Sequence, residues 1–308
     1  MNRHHLTSCC FATFLAGVIL APAIMAGEPT GLVRADPNKP NTSPAARQDA
    51  IDSIPMDRLA PAGRARAVWV LENTSVFRRL PIRVIPCDPD LYLFLVQHPD
   101  VVVNIWELFG ASHLTVRQTE ADVYHVTDDV GTSGTLQFLY RGRDVHVAYI
   151  DGTYTGKLFG HHVRGRGIVV LRSAYIRDAG GRGYVTSRLD AFMNIEPGGA
   201  EFLTKTFQPL VGKVADLNFI QTADFLGSLS RTAEVNRHGM QRLASRLQKV
   251  PPDVRQRFAE LTDQVNQRAA NSNRTASRPA ERIDSEQSPA EVPLAAARPR
   301  EPDGREVK

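Results

Sequence analysis

The feature that most constrains the fold is a region of alternating apolar and polar residues that runs from about His113 to Ile195. Alternation with a period of two is typical of strands that bury one face. The clearest part lies between Arg166 and Ile195, where the turn DAGGRG separates two long alternating runs. Its glycines tolerate positive φ, so this stretch predicts a β-hairpin. The whole region predicts successive antiparallel strands.

A long amphipathic helix is predicted after the strands. Apolar residues recur at intervals of three or four over residues 203–229, with Gln221 in the one gap. This spacing places them on one side of a helix, which Pro209 and Gly212 should bend. A shorter pair of helices is predicted within residues 240–265, separated by two prolines.

The part of the chain before the sheet begins with VFRRLPIRVIPC, which predicts a strand from Val76 to Cys87. Asp88 is a suitable N-cap for a helix that has proline at its first position. Pro99 should interrupt the helical pattern. We therefore expect two short helices, Pro89 to Gln97 and Asp100 to Phe109.

This order of elements, from Val76 to about Arg231, resembles that of the START-like (SRPBCC) superfamily, which includes polyketide cyclases and lipid-transfer domains. The resemblance rests on the element order, on the DPDLYLFLVQHPDVVVNIWEL pattern and on the long final helix. It implies an α+β helix-grip fold, in which a curved antiparallel β-sheet wraps around a long C-terminal helix, with two short helices after the first strand. It also implies a cavity for a lipid or other apolar small molecule between sheet and helix. No diagnostic catalytic motif accompanies it.

The N-terminal residues 1–26 have the pattern of a secretory signal peptide: a short basic start, an apolar stretch and small residues for cleavage. We therefore expect export to the periplasm or the extracellular space, with an uncleaved membrane anchor as the alternative. Cleavage would remove Cys9 and Cys10. Cys87 would then be alone and unable to form an internal disulfide.

Composition predicts the remaining boundaries. Residues 27–63 are rich in Pro, Asn, Ser and Asp and predict a flexible arm. The region that follows, residues 64–232, is the part that the resemblance implies to be a START-like domain. A helical extension is expected at 233–264. Residues 265–308 contain five prolines and no aromatic residue, which predicts a disordered tail.

The charge pattern narrows the range of partners. The net charge is +4, and the Lys and Arg residues are spread along the chain without a dense run or interleaved aromatics. Nucleic acid is therefore not an expected partner. The expected partners are an apolar small molecule or a lipid, together with contact to a membrane surface. No cofactor is expected, and the oligomeric state stays open.

Metal binding is not predicted. His161 and His162 are adjacent, so on a strand their side chains point to opposite faces and cannot share one metal ion. Gly160, Gly165 and Gly167 lie around these histidines, but they lead into a strand and not into a helix N-terminus, unlike the glycines of a phosphate loop. The stretch from Gly156 to Ile176 is therefore interpreted as the entry to a strand.

Six polar residues are candidate ligand contacts: His146, Arg164, Arg188, Asp190, Asn218 and Gln221. Arg164 shares a strand face with His162 and Arg166, and that face suits an anionic head group at a pocket mouth. Asn218 and Gln221 lie close to the apolar stripe of the long helix.

The other three, His146, Arg188 and Asp190, lie within alternating runs and would suit a ligand carboxylate or acid–base chemistry if they faced the cavity. The sequence is therefore consistent with three functions. The leading hypothesis is an exported binding protein without chemistry. The alternatives are a cyclase- or hydrolase-like enzyme that uses these three residues, and an envelope scaffold with a solid core and no ligand. No catalytic residue is assigned.

Overall fold

The computed structural model describes Asp36 and residues 38–129, 131–155, 162–196 and 208–276. We label its α-helices in chain order, and a short 3-10 helix, Met56–Arg58, lies between the first two. The α-helices are α1 Pro44–Asp52, α2 Pro61–Glu72, α3 Pro89–Gln97, α4 Pro99–Leu108, α5 Gln208–Val235, α6 Arg237–Arg246 and α7 Pro252–Ala276. None of these helices is long and apolar enough to cross a membrane.

Eight strands in the described residues form one antiparallel sheet, so the fold class is α+β. The strands are β1 Val76–Arg79, β2 Arg83–Ile85, β3 Thr115–Glu120, β4 Val123–Thr127, β5 Thr132–Arg141, β6 Val145–Tyr154, β7 Val163–Arg177 and β8 Gly183–Ile195. Their order is β1-β8-β7-β6-β5-β4-β3, and β2 also pairs with β8. The predicted hairpin is confirmed as β7 and β8, and Gly181 in its turn has a φ of 79°.

The two predicted short helices are confirmed as α3 and α4. The Asp88 carboxylate caps α3 by accepting hydrogen bonds from the backbone N–H groups of Asp90 and Leu91. The single strand predicted from Val76 to Cys87 is instead two short strands. Pro81 lies between them, and proline has no N–H for a ladder hydrogen bond.

The sheet has an inner face, which packs against α3, α4 and α5, and an outer face, which packs against α1 and α2. Alternation assigns consecutive residues to opposite faces. A bulge in β5 between Phe138 and Tyr140 reverses that assignment, so Phe138 packs with the inner core and Tyr140 with the outer one.

The described part of the predicted flexible arm is ordered, which corrects the prediction for residues 38–63. Ala46 and Ala50 of α1 and Ile54 pack against the outer face, where they meet apolar residues such as Phe192. The sequence prediction failed because this segment has no sustained apolar period of its own. The segment is ordered because both faces of the sheet are apolar, and the outer face provides an apolar surface for the segment to pack on.

The C-terminal prediction is corrected in the same way. The sequence predicts a disordered tail from residue 265, but α7 continues to Ala276, and Val265 is only 2% exposed. Phe258 and Val265 belong to the same core as α3 and α5. Thus α6 and α7 complete the main core, and residues 277–308 lie outside the described residues.

Candidate functional site

A cavity of about 160 Å³ lies between the inner face of the sheet and α5. Its walls come from α3, α5 and strands β2, β4, β5, β6, β7 and β8. The lining is almost entirely apolar and consists of Ile85, Tyr92, Val96, Val126, Leu136, Phe138, His146, Ala148, Ile150, Val169, Leu171, Ser187, Leu189, Phe219, Thr222, Ala223 and Leu226. An apolar ligand is the class that such walls favour.

The pattern of the lining follows from the periods of its elements. On β6, every second residue from His146 to Ile150 faces the cavity, while Val147 and Tyr149 pack under the outer helices. On α5, Phe219, Ala223 and Leu226 recur at helical spacing and close the opposite wall. A period of two on the strands and of three to four on the helix therefore builds one pocket.

Three hydroxyl groups form a buried network at the wall near α3. Tyr92 Oη donates to Ser187 Oγ at 3.0 Å and lies 3.1 Å from Ser173 Oγ. The two serines are directly opposite in the β7–β8 register. Burial raises the pKa of Tyr92, so the phenol stays protonated. This network satisfies its own hydrogen bonds without a ligand.

His146 is the polar residue of the cavity whose hydrogen bonding is incomplete. It is 2% exposed, and its Nε2 lies 3.3 Å from Gln97 Nε2. Its Nδ1 is buried and has no hydrogen-bond partner among the described residues. Burial lowers the pKa of His146 to about 4, and the positive charge of Arg141 lowers it further, so the ring is neutral near pH 7.

Arg141 lies next to His146 in the sheet but does not line the cavity. Its guanidinium stacks on the Phe138 ring at 4.3 Å, pairs with Asp122 at 2.9 Å and donates to Tyr124 Oη at 3.3 Å. The Tyr124 hydroxyl in turn donates to the Gln97 carbonyl oxygen. The charge of Arg141 is therefore engaged by this cluster.

Arg188 and Asp190 lie on the outer face, not in the cavity. Asp190 is 0% exposed and accepts from Arg79 Nε at 2.6 Å and Arg172 Nη2 at 3.0 Å. Asp49 of α1 joins the same cluster and contacts all three arginines, including Arg188 at 3.6 Å. These charges attach α1 to the sheet, and they do not meet His146.

The remaining predicted residues also fall outside the cavity lining. Arg164 is on the outer face and makes two hydrogen bonds to Asp151. Asn218 is buried in α5, where its backbone carbonyl oxygen accepts a hydrogen bond from Thr222 Oγ1. Gln221 is exposed. His162 is exposed, and His161 lies outside the described residues. Of the six candidates, only His146 lines the cavity.

Tyr92, Ser173 and Ser187 are not among the residues predicted from the sequence, because a single hydroxyl in an alternating strand or an apolar helix has no distinctive pattern. A signal was present: the DAGGRG turn sets the hairpin register, and that register pairs the two serines. The described residues contain no cluster of three His, Cys, Asp or Glu side chains that could hold a metal ion.

The depressed pKa of His146 predicts an acid-sensitive stability. The folded protein takes up the His146 proton only near pH 4, whereas the unfolded chain takes it up near 6.5. Stability should therefore fall as the pH drops from about 6.5 to 4, by up to about 1.4 kcal/mol per pH unit for this group. Burial also lowers the pKa of His98 to about 4, so His98 adds to the loss of stability in acid. Burial raises the pKa of Asp100 to about 6, so Asp100 acts against this loss.

Urea unfolding at pH 7 and pH 5 isolates the contribution of His146. His146→Leu should reduce the loss of stability between these two values by roughly 1–2 kcal/mol. His238 is exposed on α6, so His238→Leu is the matched control and should leave the loss unchanged. Equal losses in wild type and His146→Leu would contradict the assignment of a neutral buried ring.

Comparison with known proteins adds two structural likenesses. No family model matches the chain, and no match was found among curated proteins. A conserved protein from Geobacillus kaustophilus is similar over 49% of this chain and 93% of its own, with 12% identity and a TM-score of 0.34. Apo dicamba monooxygenase is similar over 63% of this chain and 57% of its own, with 9% identity and a TM-score of 0.26. At these TM-scores, neither likeness assigns the chain to a family.

Proposed function

We propose that this protein binds an apolar small molecule in the cavity between the sheet and α5, without chemistry. The observation that carries the proposal is the lining: among the described residues, seventeen surround a cavity of about 160 Å³, and most of them are aliphatic or aromatic. Cavities of ~150 Å³ with apolar walls are large enough to take up benzene. Burial of apolar surface of the ligand provides the driving force.

The arrangement of elements supports a helix-grip fold of the START-like type as part of this proposal. An antiparallel sheet packs its inner face on a long helix near the C-terminus, and two short helices follow the first strands. Export through the N-terminal residues 1–26 belongs to the same proposal and rests on their composition alone. The protein would then hold its ligand outside the cytoplasm as a carrier or sensor.

The two alternatives have less support. The enzyme hypothesis needs His146, Arg188 and Asp190 in one pocket, but the latter two lie on the opposite face of the sheet. Cys87 offers no nucleophile, since burial raises the pKa of its thiol to about 12. The scaffold hypothesis needs a core filled by side chains, which a cavity of about 160 Å³ opposes.

Filling the cavity tests the proposal. Ala148 lines the cavity from β6, so Ala148→Leu places three additional carbons in the space that a ligand would occupy. We expect the affinity for toluene, measured by calorimetry, to fall by about tenfold or more. Ala174 is exposed on the outer face of β7, and Ala174→Leu makes the same change away from the cavity.

The control variant should bind toluene as the wild type does. Thermal unfolding of both variants verifies that they remain folded before binding is measured. If a folded Ala148→Leu protein bound toluene with wild-type affinity, the cavity would not be the binding site. If the wild type bound no apolar probe at all, the proposed function itself would be wrong.

A further inference from the structure

The polar groups of the cavity are unequally satisfied. Four lining residues have a hydrogen-bonding side chain: Tyr92, His146, Ser187 and Thr222. The Tyr92 and Ser187 hydroxyls form a hydrogen bond with each other, and Thr222 Oγ1 donates one to the backbone carbonyl oxygen of Asn218. Of these four side chains, only His146 has a buried polar atom, Nδ1, without a partner among the described residues.

An unpartnered buried nitrogen is costly, because it has lost its hydrogen bond to bulk water. A single buried water does not solve the problem well, since ordered internal waters usually make about three hydrogen bonds. Next to His146, the cavity walls are apolar, with Phe138, Ala148 and Leu171 as its neighbours in the lining. His146 lines the cavity, so a ligand that fills the cavity and carries its own polar group satisfies Nδ1 once the imidazole ring turns that nitrogen toward it.

The charge of that ligand follows from the same walls. No described side chain of the lining is charged, and Arg141 is already engaged by Asp122 and Tyr124. An ionised carboxylate or phosphate in this cavity would lose its hydration without gaining a counterion. The walls therefore favour an uncharged ligand.

Because the His146 ring is neutral, it also limits which polar group the ligand can carry. In a neutral imidazole one nitrogen donates and the other accepts, and the tautomer decides which does which. A hydroxyl both donates and accepts, so it is complementary to Nδ1 in either tautomer. A cavity of about 160 Å³ has room for one ring-sized apolar body beside that hydroxyl.

We propose that the cavity selects an uncharged, ring-sized apolar molecule, or the ring-sized end of a longer one, that carries one hydroxyl group bound to His146 Nδ1. This inference rests on the proposed function and adds the ligand class to it. His146 is the residue that determines specificity, and the remaining lining provides the apolar contact.

Three probes of the same shape test the proposal at pH 7: toluene, p-cresol and p-toluate. Calorimetry should show p-cresol binding about three- to tenfold more tightly than toluene, the gain expected from one hydrogen bond to an otherwise unsatisfied group. The anion p-toluate should bind at least about tenfold more weakly than toluene. His146→Leu should abolish the preference for p-cresol but retain toluene.

Thr222→Val is the matched control, because it changes a lining hydroxyl that already has a partner. This variant should keep the preference for p-cresol. A second readout does not depend on any variant: the ¹⁵N resonance of His146 Nδ1 in the wild type should shift with p-cresol and not with toluene.

The outcomes separate this inference from the proposed function. If none of the probes binds, the proposed function fails. If toluene and p-cresol bind equally and the Nδ1 resonance does not respond, the cavity binds apolar molecules but the hydroxyl selectivity is wrong. Tightest binding of p-toluate would overturn the proposed exclusion of anions.

Discussion

Replacement of Asp190 by alanine should lower the free energy of unfolding by about 3–5 kcal/mol, the usual cost of removing one partner from a buried ion pair. Asp190 is 0% exposed and bonds to both Arg79 and Arg172. Without it, these two arginines and Arg188 would share a single carboxylate, Asp49, whose side chain is half exposed. The variant would leave positive charges at the base of α1 without sufficient compensation.

Urea unfolding monitored by circular dichroism measures this effect. Asp52→Ala is the matched control, because Asp52 is an exposed carboxylate on α1 that, among the described residues, bonds only to Gln48. It should change stability by no more than about 0.5 kcal/mol. A similar small change for Asp190→Ala would mean that α1 is not held to the sheet by this cluster.

Phe258→Ala should destabilise the protein by about 3–5 kcal/mol, as expected when a large side chain is removed from a packed core. Phe258 lies on α7, is 0% exposed and stacks on Phe94 of α3 at a ring distance of 6.1 Å. Truncation to alanine would leave a cavity between these helices. The size of the effect tests whether α7 is part of the folded core.

Arg257→Ala provides the control for Phe258→Ala. Arg257 is the preceding residue and is exposed, and within the part of the chain that the structure describes it pairs only with Glu260 on the same helix. Its replacement should cost about 0.2–0.5 kcal/mol. A loss below about 1 kcal/mol for Phe258→Ala, measured in the same urea series, would show that α7 folds onto the protein only weakly.

Two other predictions test the inner face of the sheet, opposite the Asp190 cluster. They are the acid sensitivity that depends on His146 and the ligand preferences of the cavity. They are independent of the outer cluster, because His146 and Asp190 share no partner among the described contacts. Stability and binding data together therefore test the two faces separately. A variant that lost binding without losing stability would act on the inner face alone.

Local physical chemistry was enough to predict much of the fold. Proline and the Asp88 cap determine where α3 begins, and Pro99 divides α3 from α4 as expected. The period of two identifies the strands, and the glycine turn identifies the β7–β8 hairpin. Each of these signals acts within a few residues along the chain, so it can be interpreted without the tertiary structure.

The candidate site was less predictable. Alternation shows that His146 and Val147 face opposite sides of β6, but it does not show which side holds the cavity. Both faces of the central strands are apolar, since one packs against α5 and the other against α1 and α2. The sequence therefore leaves open whether Arg188 and Asp190 face the cavity, and the structure places them beneath α1.

The order of the elements along the chain, the boundary between α3 and α4 and the β7–β8 hairpin follow from the sequence, because capping, turn chemistry and periodicity are local. The faces of the sheet follow only from the tertiary structure, because burial depends on which distant segment covers each face. Residues 44–72 cover the outer face, so the charges there became a structural cluster. Helix α5 covers the inner face, and His146 became the polar group of the cavity.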